Sequence, residues 1–244
     1  MKPTPSLIKR ELKSIFSHPI ILLVLTVLAV GHGFYFKRML QLYTQMRPSS
    51  VQPLSLIQNH LNFSTLILMP LYSNYAIFFG LLTILLTMSQ ISGEKRSGHW
   101  LILKSLPISE GRIVFAKLCA TVIVCWSMLA LVLLYPLLLS FHISLEWPVI
   151  INANFGLALF ALFAASLGLF ASSLSPHPLI APFASLAIFM VMDYSQLLLP
   201  TPAFSPFYHL FPFLQGIFNP IHLLYYLSIA FLFFTLTEAR CKNI

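Results

Sequence analysis

The ionisable side chains of this chain are few and far apart. Its six acids stand at Glu11, Glu94, Glu110, Glu146, Asp193 and Glu238. Asp193, in the run FMVMDYSQLLLP, is the one carboxylate deep inside an apolar segment. A charge there costs about 2.5 to 3.5 kcal/mol on insertion scales, so a partner or a substrate must compensate it. Tyr194 and Ser195 are the nearest hydrogen-bonding candidates, and a lone acid does not make a proton relay. Eight histidines (His18, His32, His60, His99, His142, His177, His209 and His222) raise the question of a metal. No pair sits at i, i+4 beside an acid, and most fall at the ends of apolar runs, where an amphipathic ring is at ease. Only His60, His142 and His209, with Glu146 near His142, keep an external metal site or an intramembrane enzyme as an alternative. The sequence holds no Gly-x-x-x-x-Gly-Lys-Ser/Thr run, no Gly-x-Ser-x-Gly and no His-Glu-x-x-His. No catalytic residue, metal ligand or nucleotide cradle is therefore assigned.

The one strongly charged internal stretch runs from Ser92 to Lys117, SGEKRSGHWLILKSLPISEGRIVFAK. Glu94, Lys95 and Arg96 open it, a short amphipathic run from about Gly98 to Ser105 follows, and Pro107 precedes a helix start at Ser109. Such a stretch reads as a folded docking element for a soluble partner. Its chemistry is charge pairing by Glu94, Lys95, Arg96 and Lys104, with Leu101, Ile102 and Leu106 free to pack on the partner or on the rest of the chain. Ser109 is placed to cap the next helix, and Glu110 suits its positive end.

What positions this stretch is a membrane. The chain is 58% hydrophobic and 8% charged over 244 residues, against roughly 25% charged in soluble domains. A water-soluble domain of this length could not cover so much Leu, Phe and Ile. The net charge of +8 is gathered at the ends of apolar runs, which points to topology and away from nucleic acid. Six spans are predicted, near 19–36, 65–91, 113–140, 152–174, 178–199 and 219–237. Six crossings return both termini to one side. Taking that side as cytoplasmic places eleven of the fourteen Lys and Arg inside and leaves Lys37, Arg38 and Arg47 outside, as the positive-inside rule requires. The first span is too long for a signal peptide, and no cleavage pattern follows it. Cys119, Cys125 and Cys241 imply no disulfide framework.

The flanking pieces have their own patterns. Leu7, Ile8, Leu12, Ile15 and Phe16 share one half of a helical wheel with Lys9, Arg10 and Lys13 opposite, an interfacial helix over 1–18, although Glu11 falls in the apolar half. Residues 37–64 read as a compact external loop with Pro48 and Pro53. Pro70 and Asn74 suggest a kink at the outer end of the second span. Gly156, Ala161, Ala164, Ala165, Gly168 and Ser172 in the fourth span allow close helix contact, within the chain or in a subunit seam. Pro176 and Pro178 make the turn into the fifth span tight. Pro200, Pro202, Pro206, Pro212 and Pro220 break an aromatic-rich segment over 200–219, which is expected as an external re-entrant cap.

The charged stretch resembles the cytoplasmic loop of type-2 ATP-binding-cassette permeases, where a Glu-Lys-x-x-Gly run precedes a coupling helix ending near Leu-Pro. IKRELKSIFSHP is similar to that family's elbow helix, LGLFASSLSPHPLIA to its fourth-to-fifth turn, and FYHLFPFLQGIFNPIHLLYYLS to the approach to its last helix. The combination is closest to gliding-motility-type permease subunits, with His99-Trp100 standing where Thr-Leu or Thr-x is expected. The resemblance implies one all-α permease domain over 1–244, with six transmembrane helices, an elbow over 1–18, a cytoplasmic coupling loop over 92–112 and the cap over 200–219. It implies a multi-pass protein of the bacterial inner membrane. Partners would be a dimer of ABC ATPase subunits that hold ATP and Mg, a second permease copy or paralogue, lipid, and an envelope accessory protein. Glu94, Lys95, Arg96, Gly98, Trp100, Leu101, Lys104 and Pro107 would couple to the ATPase. Asp193, Tyr194 and Asn74 would line a substrate path from polarity alone. The function implied is ATP-driven transport, most simply export. The alternative is mechanical or assembly work on an envelope partner.

Overall fold

A computed structural model describes residues 3–17, 19–46, 68–105, 109–141, 145–198 and 203–242. Its elements are all helices: α1 (Pro3–Ser17), α2 (Pro19–Met46), α3 (Met69–Thr87), α4 (Ser92–Arg96), α5 (His99–Ser105), α6 (Glu110–Ser140), α7 (Trp147–Leu174), α8 (Ile180–Leu198), α9 (Pro206–Leu214) and α10 (Pro220–Lys242). Proline sits in the first turn of α2, α3, α7, α9 and α10, where its missing N–H is no loss and its fixed φ suits a helix.

Among the described residues, four segments are long and apolar enough to cross a membrane: Met69–Arg96, Glu110–Ser140, Trp147–Leu174 and Pro220–Lys242. A shorter apolar helix covers Ile180–Ser195. The 28 residues of α2 rise about 42 Å. That helix continues to Met46, so Lys37 and Arg38 lie on it and not in a loop as expected. The remainder of the expected loop, with Arg47, Pro48, Pro53 and His60, lies outside the described residues.

α7 is the centre of the bundle and touches α3, α6, α8, α9 and α10. Between apolar helices in lipid, close backbone approach and packing decide which faces meet. The small residues of α7 serve this packing within the chain. A Cβ at Gly168 would overlap the Thr87 side chain of α3, and one at Gly156 would overlap Phe213 of α9. Ala161, Ala164 and Ala165 are fully covered. Asn154 donates to the Tyr72 hydroxyl at 2.8 Å, a buried polar tie between α7 and α3.

Two apolar clusters follow from this arrangement. The larger fills the middle of the bundle around Tyr72, Phe79, Phe160, Phe163, Phe213 and Tyr226. The smaller lies under the charged stretch and joins Ile91, Trp100 and Leu103 to Ile113, Val114, Leu118, Leu169 and Cys241. At the opposite end, α9 packs on the start of α7, and Gly216, at φ +83°, turns the chain against Val149 before α10 begins.

Candidate functional site

The charged stretch folds as two short helices separated by a break at Ser97 and Gly98. α4 ends at Arg96, Ser97 N–H donates to Gly93 O, and Gly98 takes φ +75°, a conformation that glycine reaches without strain. α5 then starts at His99. Its Trp100 is only 2% exposed and Leu103 5%, both seated in the smaller apolar cluster. Leu101 and Ile102 point the other way, 71% and 62% exposed. A seven-residue helix is thus nailed to the bundle by one face while its neighbouring face presents two bare aliphatic side chains.

Beneath the stretch lies a cluster of buried charge. Lys117 of α6 is 1% exposed, and its ammonium donates to Glu94 Oε1 at 2.7 Å and to Glu11 Oε2 at 3.0 Å. Arg10 donates to the other Glu11 oxygen at 2.6 Å. Burial pushes the Glu11 carboxyl up, but Lys117 and Arg10 outweigh it and hold the group below the usual carboxylate range. One lysine therefore ties three elements: α1 through Glu11, α4 through Glu94, and the long α6 on which it stands. Leu7 and Ile15 are buried one helical turn either side of Glu11, so the face that α1 turns to the bundle has a charge at its centre because a cation waits there. A cleft lined by Arg10, Glu11, Ser14, Glu94, His99, Ile102 and Leu103 opens between α1 and the stretch.

The end of α7 fixes the other flank. Ser172 Oγ accepts from the N–H groups of Ile91 and Ser92 at 3.2 and 3.1 Å and donates to Met88 O at 2.9 Å. Lys95 Nζ donates to Ser173 O at 2.6 Å. These bonds make the link between α3 and α4 a stiff joint.

A second site lies nearer α9. A cavity of about 250 Å³ between α3, α7 and α8 is walled by Ile77, Gly80, Leu81, Phe160, Phe189 and Met190, with Asp193 and Tyr194 at its edge and Phe207 of α9 closing one side. Asp193 Oδ1 accepts from Ser205 Oγ at 2.6 Å, and Ser205 Oγ in turn accepts from Tyr208 N–H, capping α9. Close by, His209 and His222 meet Nδ1 to Nδ1 at 2.7 Å, and the His209 ring stacks on Tyr225 at 3.8 Å.

A sequence-family model described as ABC-2 family transporter protein matches residues 6–233. The chain belongs to the ABC-2 transporter family. A comparison with curated proteins finds no match. Membership makes the chain a multi-pass permease component of an ABC transporter, of the kind that works with separate ABC ATPase subunits.

The structure sorts the residues predicted for this ABC-2 permease component. Glu94 accepts from Lys117 and Lys95 donates to Ser173 O, so each has an inward bond within the chain while remaining partly exposed. Arg96, Leu101 and Ile102 are the outward residues, Trp100 is an anchor, and Gly98 is the turn. The Lys104 side chain and Pro107 lie outside what is described. Ser109 occupies the cap position of α6, but its side chain makes no capping bond. Asp193 and Tyr194 share a cavity, whereas Asn74 donates to the Tyr35 hydroxyl of α2 at 2.6 Å and to Pro70 O, away from them. Among the described residues no three His, Cys, Asp or Glu side chains group to hold a metal; His60 and His142 are outside that set. Lys117, Glu11, Ser172 and Ser173 were not predicted as site residues. The misplaced charge of Glu11 was the signal available for the first two.

Proposed function

We propose that this chain is the membrane half of an ATP-driven exporter in a bacterial inner membrane, of the gliding-motility type suggested by its motifs. The observation that carries the reading is the pair of bare side chains Leu101 and Ile102 on a helix whose opposite face is anchored by Trp100 and Leu103. An exposed aliphatic pair on a rigid mount, beside a cleft rimmed by charged groups, suits a groove in a soluble ATPase. The ATPases would supply the ATP and Mg chemistry, and this chain would supply none.

In this reading α2, α3, α6, α7, α8 and α10 cross the bilayer, both termini and the α4–α5 loop are cytoplasmic, α1 is an interfacial elbow, and α9 is an external cap. Motion of a seated α5 would reach α6 through Glu94 and Lys117 and α1 through Lys117 and Glu11. The joint at Ser172 would carry it to α3. Cargo would pass along the cavity bounded by α3 and α8, with Asp193 and Tyr194 as its polar contacts. A second copy or a paralogue would supply the facing wall.

Purification of the intact chain from native membranes in mild detergent tests the proposal. An ATPase subunit with a phosphate-binding loop should accompany it in stoichiometric amount. A monodisperse preparation with no such subunit would overturn the reading.

A further inference from the structure

Away from both sites, α2, α3 and α6 enclose a second cavity of about 250 Å³, lined by Ala29, His32, Tyr75, Met128, Tyr135 and Leu138 among others. His32 is 8% exposed and its Nε2 has no hydrogen-bond partner among the described residues. Its ring is held edge-on between Tyr75 at 4.9 Å and Tyr135 at 5.2 Å. The Tyr135 hydroxyl is already used, donating to Ala29 O at 3.0 Å. Gly33 lets α2 lie this close, since a Cβ there would touch the same hydroxyl.

An imidazole nitrogen left without a partner among apolar walls is costly unless something occupies the space and bonds to it. Among the described residues the lining contains no acid and no Lys or Arg, so a charged occupant would find no counter-charge there. A hydroxyl fits best, because it donates or accepts as the imidazole tautomer requires. The size is also informative: an apolar cavity of about 150 Å³ holds benzene, so this one takes roughly ten heavy atoms. Its α6 wall includes Leu131, Leu134 and Leu138, all exposed on the face of a helix apolar enough to span the membrane, which opens the site to the bilayer.

We propose that this cavity is a lateral binding site for an uncharged, lipid-soluble alcohol or phenol of about ten heavy atoms, whose hydroxyl bonds to His32 Nε2. The site is independent of the cargo path and of ATPase docking.

The test uses radiolabelled 1-naphthol, and naphthalene as its partner lacking the hydroxyl, with the full chain in lipid nanodiscs and binding to empty nanodiscs subtracted. Saturable binding of 1-naphthol near one per chain is expected, with naphthalene at least tenfold weaker. His32→Phe, which keeps a ring but removes the nitrogen, should bring 1-naphthol to the level of naphthalene, and Met128→Trp, which fills the space, should abolish both. Folding of each variant is checked by its elution profile and helicity. Binding that does not saturate, or that persists unchanged in His32→Phe or in Met128→Trp, would overturn the proposal.

Discussion

Lys117 donates to Glu94 across 2.7 Å, joining a buried cation near the start of the long helix α6 to the first helix of the charged stretch. The same ammonium reaches Glu11 at 3.0 Å, so two short helices are registered on α6 by one atom. A buried charge with good partners adds little net stability, but removing one member leaves the others unpaired. The cluster is therefore better understood as a device that fixes relative position, which is what a force-transmitting joint needs.

Lys117→Met should accordingly destabilise the protein by about 3 to 5 kcal/mol, the range for breaking a buried ion pair. The double variant Lys117→Met with Glu94→Gln should recover part of this, because one orphaned carboxylate is neutralised. Thermal unfolding in detergent measures both. Equal melting points for wild type and Lys117→Met would remove the cluster from the account.

Gly98→Ala probes the hinge between α4 and α5. A Cβ there meets open space, so the whole effect is conformational: φ of +75° is unfavourable for alanine. A cost of about 1 to 2 kcal/mol is expected, concentrated in α4–α5. Hydrogen exchange should speed up in these two helices and stay unchanged in α7.

Acid should loosen α9. Burial holds His209 below the ordinary 6.5; its bond to Ala203 O opposes this and the neighbouring His222 adds to it. A lowered folded value means that stability is complete above about 6.5 and declines as pH falls from there towards the folded value. Two protonated rings also cannot keep a 2.7 Å Nδ1 to Nδ1 contact. Asp193 and Tyr208 lie among the surrounding polar groups, with Tyr225 and Tyr226 on α10. Melting temperature should drop between pH 7 and pH 5, and His209→Gln should flatten that slope. An unchanged slope in the variant would place the acid sensitivity elsewhere.

Hydropathy and proline placement made the helices legible, because length and apolar composition alone decide whether a segment suits a bilayer. The small residues of α7 announced close packing but not its partners, Thr87 and Phe213, which depend on how the helices are ordered in space. At the candidate site the charged run was visible, yet the direction of each side chain was not. Glu94 and Lys95 look like surface groups in the sequence, and they turn inward because Lys117, twenty-three residues after Glu94, and the end of α7 lie beneath them. Trp100 is seated in the smaller apolar cluster on which α5 rests, a direction that the sequence alone does not give. Asn74 was placed with Asp193 by polarity alone, although its nearest hydroxyl belongs to α2.

The most direct measurement is the amount of ATPase that co-purifies, per permease chain, with wild type and with Leu101→Asp/Ile102→Asp, using Ile217→Asp/Ile221→Asp, exposed at the opposite end beside the start of α10, as the control. Both α5 positions are already exposed, so the substitution should leave the elution profile unchanged. The ATPase should be lost at least tenfold with the α5 variant and retained with the control. Full retention by the α5 variant would contradict docking through α5.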